Sequence, residues 1–391
     1  MNTLLDGLKI LDFTTLLPGP FATMMLGDMG AEILRIESPT RLDMTRLMPP
    51  MHAYINRNKK SLALDLKYEE SIAIVERLIA DLGYDIIIEQ FRPGVMERLG
   101  LSYEKLSQIE PGLIYCSLTG YGQSGPLSHR AGHDINYLSH AGIMSYSGRK
   151  DSGPSVMGIQ VADVGSGSNN SIIGILAAVI KRMNTAQGQH IDVSMTDCLF
   201  PYHAIGGINV LAGQEDPGFE TEMLSGGSLY GFYETSDGKY ISFGGLEPQF
   251  FSAFCKELGL DDLIEGGIFQ VTALEQAKKR VADIFKTKPR EYWLERFNDL
   301  DACVEPVLSI SEAVHSDHAR HRGILIEMPA PDGKSLPQFS CPIQFSKSRP
   351  IYKSPGCALG EHTHEIMKSL GYSDPEIATM KSKGILGNII K

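Results

Sequence analysis

The chain has 391 residues, with 36 Lys and Arg against 47 Asp and Glu, a formal net charge of −11, and 42% hydrophobic and 21% charged residues. That composition excludes a disulfide miniprotein, a collagen and a disordered chain, and the length favours two domains, each able to bury a core. The acidic balance carries no general electrostatic footprint for nucleic acid, although it leaves room for a local basic pocket that takes an anion.

Over the first half, short β-rich runs alternate with helical stretches. The runs are Leu8 to Thr14, Ile33 to Glu37, Ser61 to Leu66, Asp85 to Gln90, Leu113 to Leu118 and His190 to Met195. Strand, helix, strand in repetition is the signature of an α/β fold with a mostly parallel sheet. Between the runs, Pro18 to Met29 carries proline at a helix entry, and Glu69 to Leu82 sets Ile72, Ile74, Val75, Leu78 and Ile79 largely on one face. Ser168 to Arg182 follows Gly165 and Gly167 and reads as a buried helix, because it is almost wholly apolar from Ile172.

After about residue 225 the pattern changes. Asp237-Gly238 between two strand-like runs is a strong hairpin signal. Helices are predicted at Pro248 to Leu258, Leu274 to Phe285 and Arg290 to Leu300, so this part reads as a separate α+β domain. Met328 to Pro355 reads as a long connection, and Glu361 to Leu370 and Asp374 to Lys383 as closing helices, the second capped by Asp374. The expected division is 1–200, 225–330 and 331–391.

The longest apolar run, residues 172–180, is nine residues and ends at Lys181 and Arg182, too short to span a bilayer. No basic segment precedes it near the N-terminus, and the six cysteines are scattered singly without a Cys-x-x-Cys pair. The expectation is a cytoplasmic protein with no membrane contact, no nucleic-acid partner and no structural zinc.

Three segments place an ionisable group among glycines or turn residues: Gly132-His133-Asp134-Ile135-Asn136-Tyr137, Val161-Ala162-Asp163-Val164-Gly165-Ser166-Gly167, and Gly244-Gly245-Leu246-Glu247-Pro248. Asp163 precedes a Gly-rich turn whose backbone N–H groups can also stabilise an oxyanion. Structural roles compete, since Asp163 and Glu247 are both good helix-start residues. No phosphate loop, nucleophile elbow or His-Glu-x-x-His pair occurs, and Leu17-Pro18-Gly19-Pro20 lacks dinucleotide spacing. His362-Thr363-His364 reads as solvent-facing, as do His315, His318 and His321. Basic residues cluster in NRNKKS (Arg57, Lys59, Lys60), itself readable as a solvated loop, and in FRPGVMERLG (Arg92, Arg98), where they could meet phosphates.

Taken in order, LPGPFATMMLGDMGAEILRIE, NRNKKSLALDLK, FRPGVMERLGLSYEKL, LIYCSLTGYGQSGP, AGHDINY, ADVGSG, GQHIDVSMTD, DGKYISFGGLEPQFF and ALGEHTHEI resemble the family III CoA-transferase superfamily. The likeness runs from about residue 4 to about residue 385, and His133 and Glu247 make it most similar to the α-methylacyl-CoA racemase branch. The resemblance implies a Rossmann-like large domain, a smaller α+β domain, termini that both join the large domain, and an interlocked homodimer. It implies acyl-CoA thioester substrates and no metal or redox cofactor. Arg35, Arg92 and Arg98 are implied as contacts of coenzyme A, with Tyr137, Lys60 and its neighbours Arg57 and Lys59 as additions.

Two chemistries are implied for the carboxylate at Asp163. In a racemase it is a base on one face of the α-carbon, His133 serves the other face, and Glu247 orients the imidazole. In a transferase it becomes acylated and then carries coenzyme A as a thioester. The Ser225-Gly226-Gly227 stretch is shorter than the glycine loop of some transferases, which favours epimerisation at C2 of a 2-methyl-branched acyl-CoA. A non-catalytic acyl-CoA-binding protein is the third reading.

Overall fold

The computed structural model describes residues 3–329 and 333–389. Two compact units divide the chain: Met1–Ala141, Gly158–Tyr202 and Arg320–Lys391 form the first, Gly142–Met157 and His203–Ala319 the second.

The first unit is built on six strands, β1 (Lys9–Asp12), β2 (Glu32–Glu37), β3 (Lys59–Ala63), β4 (Ile86–Glu89), β5 (Ile114–Thr119) and β8 (Gln189–Ser194), in the order β3-β2-β1-β4-β5-β8. Every pairing is parallel, so the α/β reading holds. The central strands β4 and β5 are buried along their length and their sequences, IIIE and IYCSLT, lack the alternation of a one-sided strand. Ile74, Val75, Leu78 and Ile79 of helix Glu69–Ala80 pack into the same core as Leu11, Leu34 and Ile87.

The last sixty residues return to the outer edge of β3. Leu386 bridges Leu64, Gly387 N–H donates to Ala63 O, and His362 N–H donates to Ser61 O. His362 Nδ1 accepts from Ser61 N, and Thr363 Oγ1 accepts from Ala63 N. The expectation that this His-Thr-His run faces solvent is therefore corrected for His362 and Thr363, whose side chains supply acceptors to the strand edge, and holds for His364, which is exposed beside Asp374. Closing helices span Thr363–Ser369 and Asp374–Ser382. The second is capped by Ser373 rather than Asp374, with Glu376 completing a capping box.

The helix predicted over Ser168 to Arg182 begins as a π-helix, Val161–Ser168, and continues as an α-helix, Asn169–Thr185. Within this chain it is not buried all round. Ile173, Ile180 and Met183 are 62%, 63% and 82% exposed, and only Ser171, Ile175 and Ala178 are buried.

The second unit carries a two-stranded ribbon, β6 (Gly148–Arg149) with β7 (Gly153–Pro154), and a three-stranded antiparallel sheet, β9 (Gly231–Glu234), β10 (Tyr240–Phe243) and β11 (Val304–Pro306). Gly238, at φ +70°, closes the hairpin between β9 and β10, the conformation for which glycine is suited. Helices Pro248–Leu258, Leu274–Phe285 and Arg290–Phe297 cover it around an aromatic core in which Phe254 stacks on Phe243 at 3.7 Å between ring centroids. The stretch read as a connection after Met328 contains order: β12 (Leu325–Pro329) pairs antiparallel with β13 (Ser335–Phe339). Among the described residues no helix is long and apolar enough to cross a membrane.

Candidate active site

The segment VADVGSGS gives the π-helix its shape and its seat. Ser166, Gly167 and Ser168 are buried; a Cβ on Gly167 would lie 2.8 Å from Met195 Cγ, so the backbone comes close to the chain leaving β8. Ser168 Oγ donates to Pro18 O at 2.6 Å and Ser171 Oγ donates to Gly167 O at 2.9 Å. Small residues thus press one side of the helix into the protein, and Asp163, half-buried, projects from its first turn. The expected turn is a wide helical one, a form that recurs at functional sites.

His133 stands at the N-cap of helix Asp134–His140 in extended conformation, φ −132° and ψ 176°, with its backbone N–H bound by Asn136 Oδ1 at 3.0 Å. Its imidazole is exposed within the chain. The next residue, Asp134, reaches the π-helix: its Oδ1 accepts from Ala162 N at 2.6 Å and from Asp163 N at 3.0 Å. These two N–H groups, which lie ahead of the Gly-rich turn, are therefore filled.

Burial pushes the Asp163 carboxyl up to about 6, with the Asp134 charge adding to the rise and the charge of His133 opposing it. The imidazole and the carboxylate expected to act together are thus electrically coupled in the first unit. Tyr137 lies beneath them, 6% exposed, its hydroxyl donating to Gly132 O; burial and the Asp163 charge push its phenol up to about 12. That hydroxyl serves the backbone in front of His133.

Glu247 belongs to the second unit, at the N-cap of helix Pro248–Leu258. Its side chain is exposed and makes no capping hydrogen bond.

The basic residues divide sharply. Arg92 and Arg98 are exposed beyond the carboxyl end of β4, where a parallel sheet offers its ligand crevice. Arg35 is 1% exposed and binds Glu37 at 3.1 Å and Asp43 at 2.8 Å. Its guanidinium is committed to those carboxylates, so the expected ligand contact is corrected to an internal ion pair. Lys60 sits near the amino end of β3, facing Glu365 at 2.9 Å and Glu32 at 3.7 Å, away from the carboxyl ends of the strands.

Nor are its neighbours a solvated loop. Arg57 is fully buried, with Nε and Nη2 on the two oxygens of Asp28 and Nη1 on Phe339 O. Lys59 is buried against Asp12, Pro20 O and Asn56, and desolvation lowers its ammonium to about 8 despite the Asp12 charge.

Two groups escaped the sequence reading. Asp134 was visible only as a carboxylate directly after a histidine at a helix start. Glu89, the last residue of β4, is 3% exposed and accepts from Phe91 N at 2.8 Å; burial pushes its carboxyl up to about 7. A glutamate ending an Ile-Ile-Ile strand was the available signal.

A model of the CoA-transferase family III matches residues 5–363. The α-methylacyl-CoA racemase of Homo sapiens is 35% identical over 385 residues, covering 98% of this chain and 97% of that one. The succinyl-CoA:glutarate CoA-transferase of Mus musculus is 32% identical, covering 98% and 90%. In three dimensions the chain is similar to a CAIB/BAIF family protein from Brucella suis, with a TM-score of 0.82 and 30% identity over 95% of this chain and 100% of that one. With the family model matching residues 5–363 and relatives above 30% identity covering nearly the whole chain, this chain belongs to the CoA-transferase family III.

Proposed function

We propose that the protein epimerises C2 of 2-methyl-branched acyl-CoA thioesters through an enolate. The observation that carries the reading is the bonding of Asp134, the residue after His133, to the N–H groups of Ala162 and Asp163, which holds the segments of the imidazole and of the half-buried carboxylate together. Moving one proton off a stereocentre and another on from the far side needs two groups of opposite protonation state, each exchanging protons near neutral pH. Asp163 as carboxylate takes the C2 proton from one face, and protonated His133 delivers to the other; the reverse direction exchanges the roles. A carboxyl raised towards neutrality is a stronger base towards the C2 proton than an ordinary aspartate and is more populated in its protonated form for the return step, and each positioned group contributes about 10²–10⁴-fold.

In this proposal Glu247 orients the imidazole, and Arg92 and Arg98 receive the phosphates of coenzyme A, bidentate recognition being what guanidinium groups do best. A second copy of the chain covers the apolar helix face of Ile173, Ile180 and Met183. Transfer of coenzyme A between carboxylates through acylated Asp163 is the rival, because relatives carrying both names match at similar identity. A half-buried carboxylate also suits that role.

The test is incubation with a single-epimer 2-methylacyl-CoA in heavy water, with and without an acceptor carboxylate. Deuterium at C2 with loss of stereochemical purity, independent of acceptor and abolished by His133→Ala, is expected. Coenzyme A transfer that requires the acceptor, with no C2 exchange and no sensitivity to His133→Ala, would overturn the reading in favour of the transferase.

A further inference from the structure

The first two N–H groups of a helix have no partner within it, and a wide π-helix leaves more such groups free than an α-helix does. Here the acceptor comes from 28 and 29 residues away, where Asp134 Oδ1 binds Ala162 N and Asp163 N together. Asp134 is also covalently joined to His133 and opens the helix that His133 caps. One side chain therefore links the backbones that carry both proton-transfer groups.

We propose that Asp134 is a positioning residue for this reaction, setting with one carboxylate both the spacing between His133 and Asp163 and the charge that Asp163 faces. The inference rests on the epimerase reading for its catalytic meaning, but the coupling between the two aspartates stands apart from it.

Charge argues the same way. A carboxylate beside another disfavours the second ionisation, and Asp134 acts on Asp163 in that direction, after burial and against His133. The elements packed around the π-helix carry His133, Asp134, Tyr137 and His140 on the helix at 134–140 and its cap, Asp28 on the helix at 18–28, Lys181 and Arg182 on the helix at 169–185, and Asp197, Cys198 and Tyr202 on the turn after β8, and of their charges those of Asp134 and His133 are the two that act on Asp163. The Tyr202 hydroxyl is turned to Gly165 O at 2.7 Å. Burial pushes the Tyr137 phenol and the Cys198 thiol up from their ordinary values, so neither supplies charge at neutral pH. Asp134 and His133 are left as the opposing controls.

The experiment titrates the Asp163 carboxyl directly, by ¹³C NMR of the full chain labelled at aspartate Cγ, the signal being assigned by its absence from Asp163→Asn. The wild-type midpoint is expected near 6. Asp134→Asn keeps an oxygen acceptor and removes the charge, and should lower that midpoint by on the order of one pH unit. Asp134→Ser, likewise uncharged and hydrogen-bonding, does the same and serves if the first variant does not fold. A midpoint unchanged in whichever variants fold, or one near 4 in the wild type, overturns the electrostatic half.

The spacing half is read in kcat for C2 exchange. Asp134→Ala, which removes the acceptor, should fall at least about tenfold below Asp134→Asn with KM within about twofold; equal kcat values overturn it. Absence of C2 exchange in the wild type, with the midpoint still moved by Asp134→Asn, sinks the epimerase reading alone, and the coupling survives it.

Discussion

Replacing Asp28 by alanine tests the claim that NRNKKS is interior. Both partners of the Arg57–Asp28 pair have fully buried side chains. The guanidinium also lies over Tyr54 and Tyr352 at 5.1 and 5.2 Å and donates to Phe339 O. Removing Asp28 leaves a charge with no counter-charge in an apolar cage, and Arg57 cannot escape by losing its proton. Breaking a buried pair costs about 3–5 kcal/mol, most of it the desolvation of the orphaned ion. In a unit of this size that lowers the melting temperature by roughly 6–20 °C. Asp81→Ala, which removes a pair 40% and 48% exposed, should change stability by less than about 1 kcal/mol. The double variant Asp28→Leu, Arg57→Met should recover most of the loss, because no charge remains to be solvated. Calorimetry and far-ultraviolet circular dichroism are the suitable probes, since the only tryptophan, Trp293, belongs to the other unit. A loss below about 1 kcal/mol for Asp28→Ala would refute the reasoning, since it would mean that Arg57 reaches water.

Glu89 gives the fold a pH dependence opposite to that of an ordinary paired carboxylate. Its folded-state value is about 7 against 4.5 for the free side chain, so between these the folded state holds more protons and stability falls as pH rises, by roughly 3 kcal/mol in all. Glu89→Gln should gain stability relative to the wild type at pH 8 and not at pH 4.5 in urea unfolding; an equal difference at both would exclude this titration. Gly120→Ala should cost about 1–3 kcal/mol and reduce C2 exchange, because the new Cβ would fall 2.4 Å from the Tyr137 ring that supports Gly132. Wild-type melting temperature and activity in that variant would show that the ring moves freely.

The sheet was legible because its strands are apolar runs separated by helical spacing, and the second unit because Asp237-Gly238 marks a hairpin that the structure contains. What escaped has physical causes. Arg57 looks like a loop cation until Asp28 and Phe339, 29 and 282 positions away, arrive around it. Pro329 and Pro337 discouraged a strand reading of residues 325–339, yet proline is tolerated in a two-stranded ribbon where few ladder bonds are demanded. Gly165 and Gly167 suggested a turn, whereas the second is small so that Met195 can approach. His133 and Asp163 could be picked from their sequence setting, but the carboxylate between them in influence, Asp134, needed the fold.

The return of residues 360–387 to β3 bears on how the protein is made. During synthesis β3 leaves the ribosome about 300 residues before Thr363 and Leu386, the groups that bind its outer edge. At roughly 5–20 residues per second, that edge waits about 15–60 s without them. Until residues 360–387 emerge, the outer edge of β3 lacks the groups that cover it in the folded chain, and an uncovered strand edge is open to mispairing.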